Sequence, residues 1–377
     1  MDITTAKLGI LGGGQLGKML LQSALDFNVN LKILDPDPNA PCSKIAHEFV
    51  NGPLTDYETV LAFGQDCDVI TIEIENVNTE ALKALKAQGK KVYPEPEVIE
   101  LIQDKRVQKT FYKTNRIPTA EFVLTESLDE VKSHEAFLPA VNKMGKGGYD
   151  GRGVQLIRTA ADLDKGFDAP GLLEKLIDFE KEISVIVARS SNGEVKTFPV
   201  VELVFHPEAN LVEYLFAPAN ISLEHDQKAR EIATKVIEQL DMTGLLAVEM
   251  FLTKEGEILV NEVAPRPHNS GHQTIEANHC SQYEQHLRAI FGLPLGNTDA
   301  LASASMVNLL GEEGYTGDAI YEGMTEVMAI SGTHIHLYGK KVTKPNRKMG
   351  HITIVDANYE RLKDKTNQVK ALLKVKA

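Results

Sequence analysis

The stretch KLGILGGGQLG, residues 7–17, places a short apolar run directly before three consecutive glycines and the start of an amphipathic pattern. The apolar run predicts a buried strand, and the apolar residues after position 16 recur at helical spacing. Glycines at such a junction let the backbone approach an anion, while the first turn of the helix offers free N–H groups. The stretch therefore predicts a strand–loop–helix unit that begins a parallel α/β sheet.

The next hundred residues continue the alternation of short apolar runs and helical patterns. Further strands are predicted at 31–34 and 68–74, and the turn-rich segment DPDPNAP at 35–41 separates them. Strands that alternate with helices form parallel sheets with helices on both faces. We therefore expect a Rossmann-like α/β domain at the N-terminus.

The motif GGGQLG at 12–17 fits the dinucleotide fingerprint G-x-G-x-x-G, and Asp35 lies close to the usual position of a ribose-binding acid. This pattern favours an NAD-dependent dehydrogenase and other phosphate-ligand enzymes about equally. A tight turn that binds nothing is also compatible with it. The motif alone leaves the ligand open.

A second glycine-rich stretch, KMGKGGYDGRG at 143–153, follows a predicted buried strand at 138–142. Its glycines cannot pack a core, but their amides can fold over phosphate groups beside the charge of Lys143. It is not a Walker A loop, because no Gly-Lys-Ser/Thr sequence ends it. A flexible surface loop is the alternative, and the buried strand that leads directly into Lys143 favours a phosphate site.

Two acids lie within apolar strands, Glu249 in LLAVEMFL and Glu262 in ILVNEVA. If residues 254–257 form a four-residue hairpin loop, the two acids face each other across the hairpin. Opposed carboxylates on a half-buried sheet repel each other and are costly to desolvate, and a bridging divalent cation removes that cost. The pair, with Asn261 beside it, predicts a magnesium–nucleotide site, unless a slipped register leaves both acids in solvent.

The segment NEVAPRPHNSGH, 261–272, concentrates polar side chains after a strand, where catalytic loops are common. Arg266 could neutralise charge that develops on a transferring phosphoryl group. Arg266 or His268 alone would more often be structural, and the density of the cluster favours function. Lys340 and Arg347, in LYGKKVTKPNRKMGH, could clamp a phosphate monoester, although charged runs are usually solvated surfaces.

Composition limits the class of protein. The 377 residues are enough for two or three domains, and 43% hydrophobic with 25% charged residues is ordinary for a globular chain. A net charge of −13 argues against binding to nucleic acid. The three cysteines are widely spaced, and no apolar run is long enough to span a bilayer, so we expect a cytoplasmic protein with no membrane partner.

The order of these motifs resembles one family. GGGQLG, TIEIENV (71–77), GGYDGRG, EKLIDFEKEISVIVAR (174–189), NEVAPRPHNSGH and LYGKK…NRKMGH together are similar to the 5-(carboxyamino)imidazole ribonucleotide synthases of the ATP-grasp superfamily. The resemblance implies that ATP, bicarbonate and 5-aminoimidazole ribonucleotide give 5-(carboxyamino)imidazole ribonucleotide, ADP and phosphate, a step of purine biosynthesis. It also implies a Rossmann-like domain at 1–105, a lid domain at 106–172, a mixed or antiparallel domain at 173–377, and a homodimer.

The resemblance assigns roles to residues at matching positions. Lys143, Arg266 and His268 would be catalytic, and Glu249 with Glu262 would hold Mg²⁺. The implied ATP contacts are Lys105, Lys143, the lid residues Gly148, Tyr149, Asp150, Gly151, Arg152 and Gly153, the adenine hinge Glu174, Lys175, Leu176 and Ile177, the ribose ligand Glu182, and Asn261 with Glu262. The implied ribonucleotide contacts are Gln15, Leu16, Glu73, Tyr149, Asp150, Arg152, Asn269, Ser270, Lys340 and Arg347.

Under this resemblance Asp35 would shape the loop that follows it instead of binding NAD. Asn142 and Leu203 depart from the residues usual in the family. The nearest rival is the formate-dependent glycinamide ribonucleotide transformylase, against which Gln15 and the segment 268–271 argue. A dehydrogenase leaves the paired glutamates unexplained, and a non-catalytic nucleotide-binding protein would need neither that pair nor Arg266.

Overall fold

The computed structural model describes residues 3–148, 153–206 and 211–377. The predicted lid residues Tyr149, Asp150, Gly151 and Arg152 lie outside the described residues. Strands group into three main sheets that follow one another along the chain.

The first sheet has five parallel strands in the order β3-β2-β1-β4-β5, which is the doubly wound order 3-2-1-4-5-6 without its sixth strand. The predicted parallel α/β start is therefore confirmed. Its elements are β1 (Lys7–Leu11), α1 (Gln15–Asp26), β2 (Asn30–Asp35), β3 (Glu48–Asn51), α2 (Tyr57–Gly64), β4 (Val69–Ile72), α3 (Thr79–Ala87), β5 (Lys91–Val92) and α4 (Pro96–Gln103).

Alternate residues of these strands are buried on opposite faces. Leu8 and Ile10 pack with α1 on one face, while Leu11 packs with α2 and α3 on the other. Because both faces are covered by helices, the strands are apolar almost throughout.

The second sheet is antiparallel, with the order β6-β9-β7-β8, and α5 leads into it. Asn142, one of the departures from the family pattern, is fully buried there. Its amide donates to the Leu172 carbonyl at 3.1 Å and accepts from the Phe167 N–H at 2.8 Å, so it ties the loop before β9 to β7. The elements are α5 (Lys105–Thr114), β6 (Phe122–Thr125), α6 (Leu128–Ser133), β7 (Ala140–Met144), β8 (Val154–Ile157) and β9 (Gly171–Lys175), with short 3₁₀ turns at Glu135–Phe137 and Ala160–Lys165.

The third sheet has nine antiparallel strands in the order β15-β14-β10-β12-β13-β16-β21-β19, and β11 also pairs with β10. The pairs β17-β20 and β18-β22 form small additions. The elements are β10 (Phe179–Arg189), β11 (Val195–Thr197), β12 (Val201–Phe205), β13 (Val212–Ala217), α7 (Leu223–Gln239), β14 (Gly244–Thr253), β15 (Ile258–Ala264), a 3₁₀ turn at Asn269–Gly271, α8 (Thr274–Ala277), α9 (Gln282–Phe291), β16 (Ala304–Leu310), β17 (Gly317–Asp318), β18 (Ile320–Glu322), α10 (Met324–Met328), β19 (Thr333–Leu337), β20 (Val342–Thr343), β21 (Lys348–Val355), α11 (Tyr359–Leu372) and β22 (Lys374–Lys376).

The apolar run at 195–201 forms two strands, β11 and β12. Pro199 lies in the gap, and a proline has no N–H to donate to a sheet ladder. Both strands pair with β10.

Helix α7 covers one face of the third sheet. Ile183, Val185 and Val187 of β10 pack there against α7 residues such as Ala233 and Val236. The other face of β10, β14 and β15 carries the polar side chains of the site. Each helix among the described residues is too short or too polar to cross a membrane.

Candidate active site

The two acidic residues predicted to pair do face each other: Glu249 of β14 is the register partner of Glu262 of β15. The loop between them differs from the prediction. The Thr253 N–H donates to the Glu257 carbonyl at 2.9 Å, so only three residues form the turn, and Leu252 faces Ile258. The register then shifts between Met250 and Glu249, where β15 carries one extra residue, Asn261. This β-bulge restores the pairing that the shorter turn would have lost.

The bulge also determines which face of the third sheet carries the side chain of Glu262. Ile258 and Val260 point into the core beneath α7, as does Val263, whereas Ala264 packs on the opposite face. Strict alternation would therefore have sent Glu262 into the α7 core with Val260. The extra residue turns Glu262 towards the polar face, the same face as Asn261, where both meet lysine side chains.

Two lysines from other elements reach the acids. Lys105, the first residue of α5, approaches Glu262 with Nζ 2.9 Å from Oε2. Lys143 of β7 donates to Asn261 Oδ1 at 2.9 Å and lies 2.8 Å from Oε2 of Glu174. The predicted phosphate contacts thus converge on the predicted metal carboxylates.

The electrostatics of the acids are unequal. Burial and repulsion from Glu262 and Glu182 raise the pKa of Glu249. Lys105 and Lys143 hold the pKa of Glu262 below its usual value. The side chain of Glu262 is 45% exposed. Burial, with repulsion from Glu262, raises the pKa of Glu182 to about 7. The carboxyl groups of Glu182, Glu249 and Glu262 therefore lie near only two lysines. The site has an excess of negative charge that a bound cation would balance.

This donor set fits magnesium. Glu249 and Glu262 offer opposed carboxylate oxygens, and the residues described in 3–148, 153–206 and 211–377 contain no group of three or more metal-ligating side chains. Magnesium commonly takes one or two protein carboxylates and completes its shell with phosphate oxygens and water. Two carboxylates beside a phosphate site match that preference.

Glu174 forms a buried ion-pair network at the predicted adenine hinge. Lys109 Nζ lies 2.6 Å from its Oε1, and Lys143 holds its other oxygen. Burial lowers the pKa of Lys109 to about 8, and Lys143 with Lys109 holds the pKa of Glu174 below its usual value despite burial. Sequence reasoning missed Lys109, although it is four residues after Lys105 and so shares its face of α5.

The rest of the hinge is held by its backbone. Leu176 donates its N–H to the Pro139 carbonyl at 3.1 Å, and the Lys175 ammonium donates to the Phe137 carbonyl at 2.8 Å. The side chain of Lys175 therefore points to the 3₁₀ turn that precedes β7. Ile177 and Leu176 are half-buried between β9 and β10.

The ends of the predicted lid are fixed to the second sheet and α5. Met144 donates its N–H to the Gly153 carbonyl at 2.9 Å, and Lys105 donates its N–H to the Gly145 carbonyl at 2.8 Å. Gly153 has a φ of 71°, a conformation that other residues adopt only with strain. Gly148 lies between these ends, where the described part of the loop stops.

The loop after β15 carries the predicted catalytic residues and is supported by contacts with buried side chains. His268 lies with Nε2 3.7 Å from Oε1 of Glu249, and its Nδ1 is 3.0 Å from Oγ of Ser270. Ser270 in turn contacts Ser184 of β10 at 2.9 Å. Burial lowers the pKa of His268 to about 3. Ser270 is thus a buried support for the imidazole ring.

Asn269 forms a reciprocal pair with Asn308 of β16, each amide donating to the other at 2.9 Å. Both side chains are buried. The direct ribonucleotide contact expected of Asn269 remains a prediction. Within the fold, the side chain of Asn269 joins the loop after β15 to β16 of the third sheet.

Arg266 reaches across to the first domain, where its Nε lies 2.9 Å from Oε1 of Glu75. Glu75 lies in the loop after β4, two residues beyond Glu73. Sequence reasoning did not single out Glu75, although the alternation in TIEIEN was the available signal.

The glycine loop at 12–17 holds a side chain of the protein itself. Glu73 accepts hydrogen bonds from the N–H groups of Gly14, at 2.8 Å, and Gly17. A Cβ on Gly14 would overlap Glu73 Oε1. Asp35 accepts from the Asp37 N–H at 2.8 Å in the loop that follows it, as predicted, and also from the Gly13 N–H of the glycine loop at 2.7 Å. A carboxylate therefore occupies the position where a dinucleotide would present its pyrophosphate, which excludes the dehydrogenase interpretation.

The predicted phosphate clamp lies beside α1. Lys18 donates to the Leu337 carbonyl at 2.8 Å, which brings the chain leading to Lys340 alongside the helix that begins with Gln15 and Leu16. Lys340 donates to the carbonyl of Lys348 at 2.8 Å. Arg347, the residue before Lys348, donates to the Val342 carbonyl at 2.6 Å. Lys348 was missed from sequence; its charge offsets part of the rise in the pKa of Glu249 and adds to the lowering of the pKa of His268.

Three family models match successive parts of the chain: a ribonucleotide synthetase pre-ATP-grasp domain at 5–103, an ATP-grasp domain at 110–283 and a phosphoribosylaminoimidazole carboxylase C-terminal domain at 304–365. The N5-carboxyaminoimidazole ribonucleotide synthase of Bacillus subtilis is 39% identical over 357 residues, which cover 93% of this chain and 91% of that protein. The chain belongs to the N5-carboxyaminoimidazole ribonucleotide synthase family. Membership confirms the predicted ATP-grasp fold and ligase class.

Solved structures of this family share the fold. The synthetase from Thermotoga maritima is 44% identical with a TM-score of 0.92, covering 99% of this chain and 100% of that one. The Aspergillus clavatus enzyme in complex with ADP and 5-aminoimidazole ribonucleotide is 33% identical with a TM-score of 0.89, covering 98% of each chain. The chain spans 64% of the length of the chloroplastic phosphoribosylaminoimidazole carboxylase of Vigna aconitifolia, to which it is 39% identical.

Proposed function

We propose that the chain carboxylates 5-aminoimidazole ribonucleotide with bicarbonate, at the expense of ATP, to give N5-carboxyaminoimidazole ribonucleotide, ADP and phosphate in purine biosynthesis. One observation carries the proposal. Beside the opposed carboxylates of Glu249 and Glu262, Lys105 pairs with Glu262 and Lys143 donates to the adjacent Asn261, an arrangement that suits a metal–triphosphate. The family relationship and the ligands of the Aspergillus clavatus structure support the choice of acceptor.

The first step is phosphoryl transfer to bicarbonate. A bicarbonate oxygen attacks the γ-phosphorus, the bond to the β–γ bridging oxygen breaks, and ADP leaves with that electron pair. Lys105, Lys143 and Arg266 would spread the charge of the transferring group. The product, carboxyphosphate, is short-lived in water, so exclusion of water by the predicted lid at 148–153 would protect it.

The second step is carbamate formation. The exocyclic amine of the ribonucleotide attacks the carboxyl carbon of carboxyphosphate, or carbon dioxide released from it. Phosphate leaves and the amine gives up one proton. His268 is a candidate acceptor of that proton by its position beside Glu249 alone, because burial lowers its pKa to about 3 and a neutral ring of that kind is a weak base.

We further propose magnesium at Glu249 and Glu262, where it would supply Lewis-acid charge next to the nucleotide phosphates. Adenine would lie at the hinge of Glu174 to Ile177, and Glu182 would bind the ribose of ATP. Lys340 and Arg347 would hold the phosphate of the ribonucleotide, near Gln15, Leu16 and Glu73.

The proposed domain division keeps the boundaries at 105 and 172. A homodimer is proposed on the family resemblance, and sedimentation velocity on the purified chain checks it. A cytoplasmic location is supported by the cysteines, since Cys42, Cys67 and Cys280 are all free and buried.

Phosphate release from ATP with bicarbonate, measured with and without 5-aminoimidazole ribonucleotide, tests the function. We expect strong stimulation by the ribonucleotide and carbamate formed in step with phosphate. Stimulation by glycinamide ribonucleotide plus formate instead would assign the chain to the transformylase reaction. No stimulation by either acceptor would refute the proposal.

A further inference from the structure

The loop after β4 presents two carboxylates to two different parts of the site. Glu73 is held by the glycine loop beside the proposed ribonucleotide site. Glu75 pairs with Arg266, whose Nε lies 2.9 Å from its Oε1. Only Ile74 separates the two acids.

The backbone of this loop is fixed from the side of the ATP site. Gln103, the last residue of α4, donates its side-chain amide to the Glu75 carbonyl at 2.7 Å. Two residues later the chain reaches Lys105, whose pKa is raised by Glu262 and, more weakly, by Glu75. Glu75 therefore lies within electrostatic range of Lys105 and Arg266, two of the three cations assigned to phosphoryl transfer.

The pair is well suited to fix the orientation of Arg266. Both side chains are largely buried, with 18% of Arg266 and 24% of Glu75 exposed, so solvent screens their interaction less than at the surface. The carboxylate of Glu75 attracts the guanidinium group of Arg266 as an ion pair, and Arg266 also donates from Nη1 to the Pro267 carbonyl at 3.2 Å. Arg266 is thus held between the first domain and its own loop.

We propose that Glu75 is a positioning residue for phosphoryl transfer: it orients Arg266 and, through the short link to Glu73, makes that orientation depend on the ribonucleotide site. This inference rests on the proposed function and adds to it a residue that couples ATP cleavage to the acceptor. Because only Ile74 separates Glu73 from Glu75, we expect a displacement of Glu73 on ribonucleotide binding to move the partner of Arg266 as well. ATP then reacts mainly when the acceptor is present.

The test uses the full-length protein and the variants Glu75→Gln, Glu75→Asp, Arg266→Lys and the double variant Glu75→Gln/Arg266→Lys. The measurements are phosphate release with and without 5-aminoimidazole ribonucleotide, KM for ATP, and melting temperature. Glu80→Gln is the control, because Glu80 pairs only with the surface residue Lys83 among the salt bridges of the described chain.

We expect Glu75→Gln to lower the ribonucleotide-stimulated kcat by about 10- to 100-fold, since a misplacement of about 1 Å can cost that much. Stimulation by the ribonucleotide should fall, KM for ATP should change less than about threefold, and Glu75→Asp should recover part of the rate. In the Arg266→Lys background, the further loss from Glu75→Gln should be small, because both changes act through the same guanidinium group.

A merely structural ion pair would lower the melting temperature and leave stimulation intact. That result, or equal losses from Glu75→Gln in both Arg266 backgrounds, would overturn the inference while the proposed function stands. A wild-type protein that the ribonucleotide does not stimulate would overturn both.

Discussion

Glu249 and Glu262 face each other across a hairpin whose register changes at Asn261. The bulge turns Glu262 out of the core under α7 and brings it to Lys105, at 2.9 Å. The central site thus depends on one extra residue in β15, and on lysines that arrive from α5 and β7.

Removal of the charge of Glu262 should abolish ATP turnover without unfolding the protein. Glu262→Gln keeps the shape of the side chain but loses a metal carboxylate, and we expect kcat to fall by at least about 100-fold, equivalent to several kcal/mol of charge stabilisation. The control is Glu255→Gln in the exposed turn of the same hairpin. Near-normal turnover in Glu262→Gln would refute the metal role.

The bulge itself can be tested by comparing Asn261→Ala with deletion of Asn261. The alanine variant keeps the register and loses one hydrogen bond to Lys143, so we expect it to fold normally and to bind ATP more weakly by about fivefold, or ~1 kcal/mol. The deletion should direct Glu262 into the α7 core, which costs several kcal/mol. Thermal unfolding of the two proteins measures the difference. A deletion variant as stable as Asn261→Ala would mean that the bulge does not determine the side-chain face.

A substitution in the glycine loop at 12–17 should raise KM for the ribonucleotide and leave KM for ATP unchanged. Gly14→Ala puts a methyl group against Glu73 Oε1, so we expect KM for 5-aminoimidazole ribonucleotide to rise by about 10-fold, or ~1.4 kcal/mol, with KM for ATP unchanged. Gly89→Ala is the control for a distant glycine: a methyl group there meets no other atom within 4 Å, but the φ of 88° strains alanine, so we expect a lower melting temperature with both KM values unchanged. Steady-state kinetics with each substrate varied separately give the answer. A rise in KM for ATP instead would assign the loop to the nucleotide.

Lys109 should matter for stability because it is a buried partner of Glu174. Lys109→Met leaves Glu174 with Lys143 alone, and removal of one member of a buried ion pair costs about 3 kcal/mol. Denaturant unfolding should show this loss. Lys132→Met, which breaks a surface pair with Asp164, should leave the unfolding curve unchanged. Equal stabilities of the two variants would show that the buried network is not a net support of the fold.

Asp66 gives a pH-dependent contribution to stability. Lys32 and Lys7 hydrogen-bond to it at 2.8 and 2.7 Å and lower its pKa to about 2. A carboxyl group whose pKa is depressed in the folded state stabilises the fold above its ordinary pKa, and that contribution is lost as pH falls through the folded-state value. Asp66→Asn should therefore lower the melting temperature at pH 7, and the deficit should shrink between about pH 4 and pH 2. A deficit that is constant with pH would contradict the assigned charge interaction.

Much of the fold followed from the local pattern. The strand–glycine–helix unit at 7–17 and the hairpin strands β14 and β15 could be predicted because their apolar periodicity is set by the faces they bury. The opposed glutamates were also predicted, but by way of a four-residue turn that the protein does not have. Neither the tighter turn nor the bulge at Asn261 has a local signature, because the position of the extra residue depends on which face of the completed sheet must carry Glu262.

The residues that were missed come from distant parts of the chain. Lys109 lies in a helix so rich in lysine that it resembles a solvated surface, and it is buried because Glu174, 65 positions away, completes its charge. Glu75 acquires its role only when Arg266 folds against the first domain. Such pairings depend on the packing of whole domains, and spacing along the sequence does not reveal them.

The most direct test of the central claim follows oxygen from bicarbonate. The protein is mixed with ATP, 5-aminoimidazole ribonucleotide and freshly dissolved ¹⁸O-labelled bicarbonate, and the phosphate is examined by mass spectrometry. If bicarbonate attacks the γ-phosphorus, each phosphate carries one labelled oxygen and appears together with one carbamate. Unlabelled phosphate, or labelled phosphate without ribonucleotide carbamate, would contradict the proposed carboxylation.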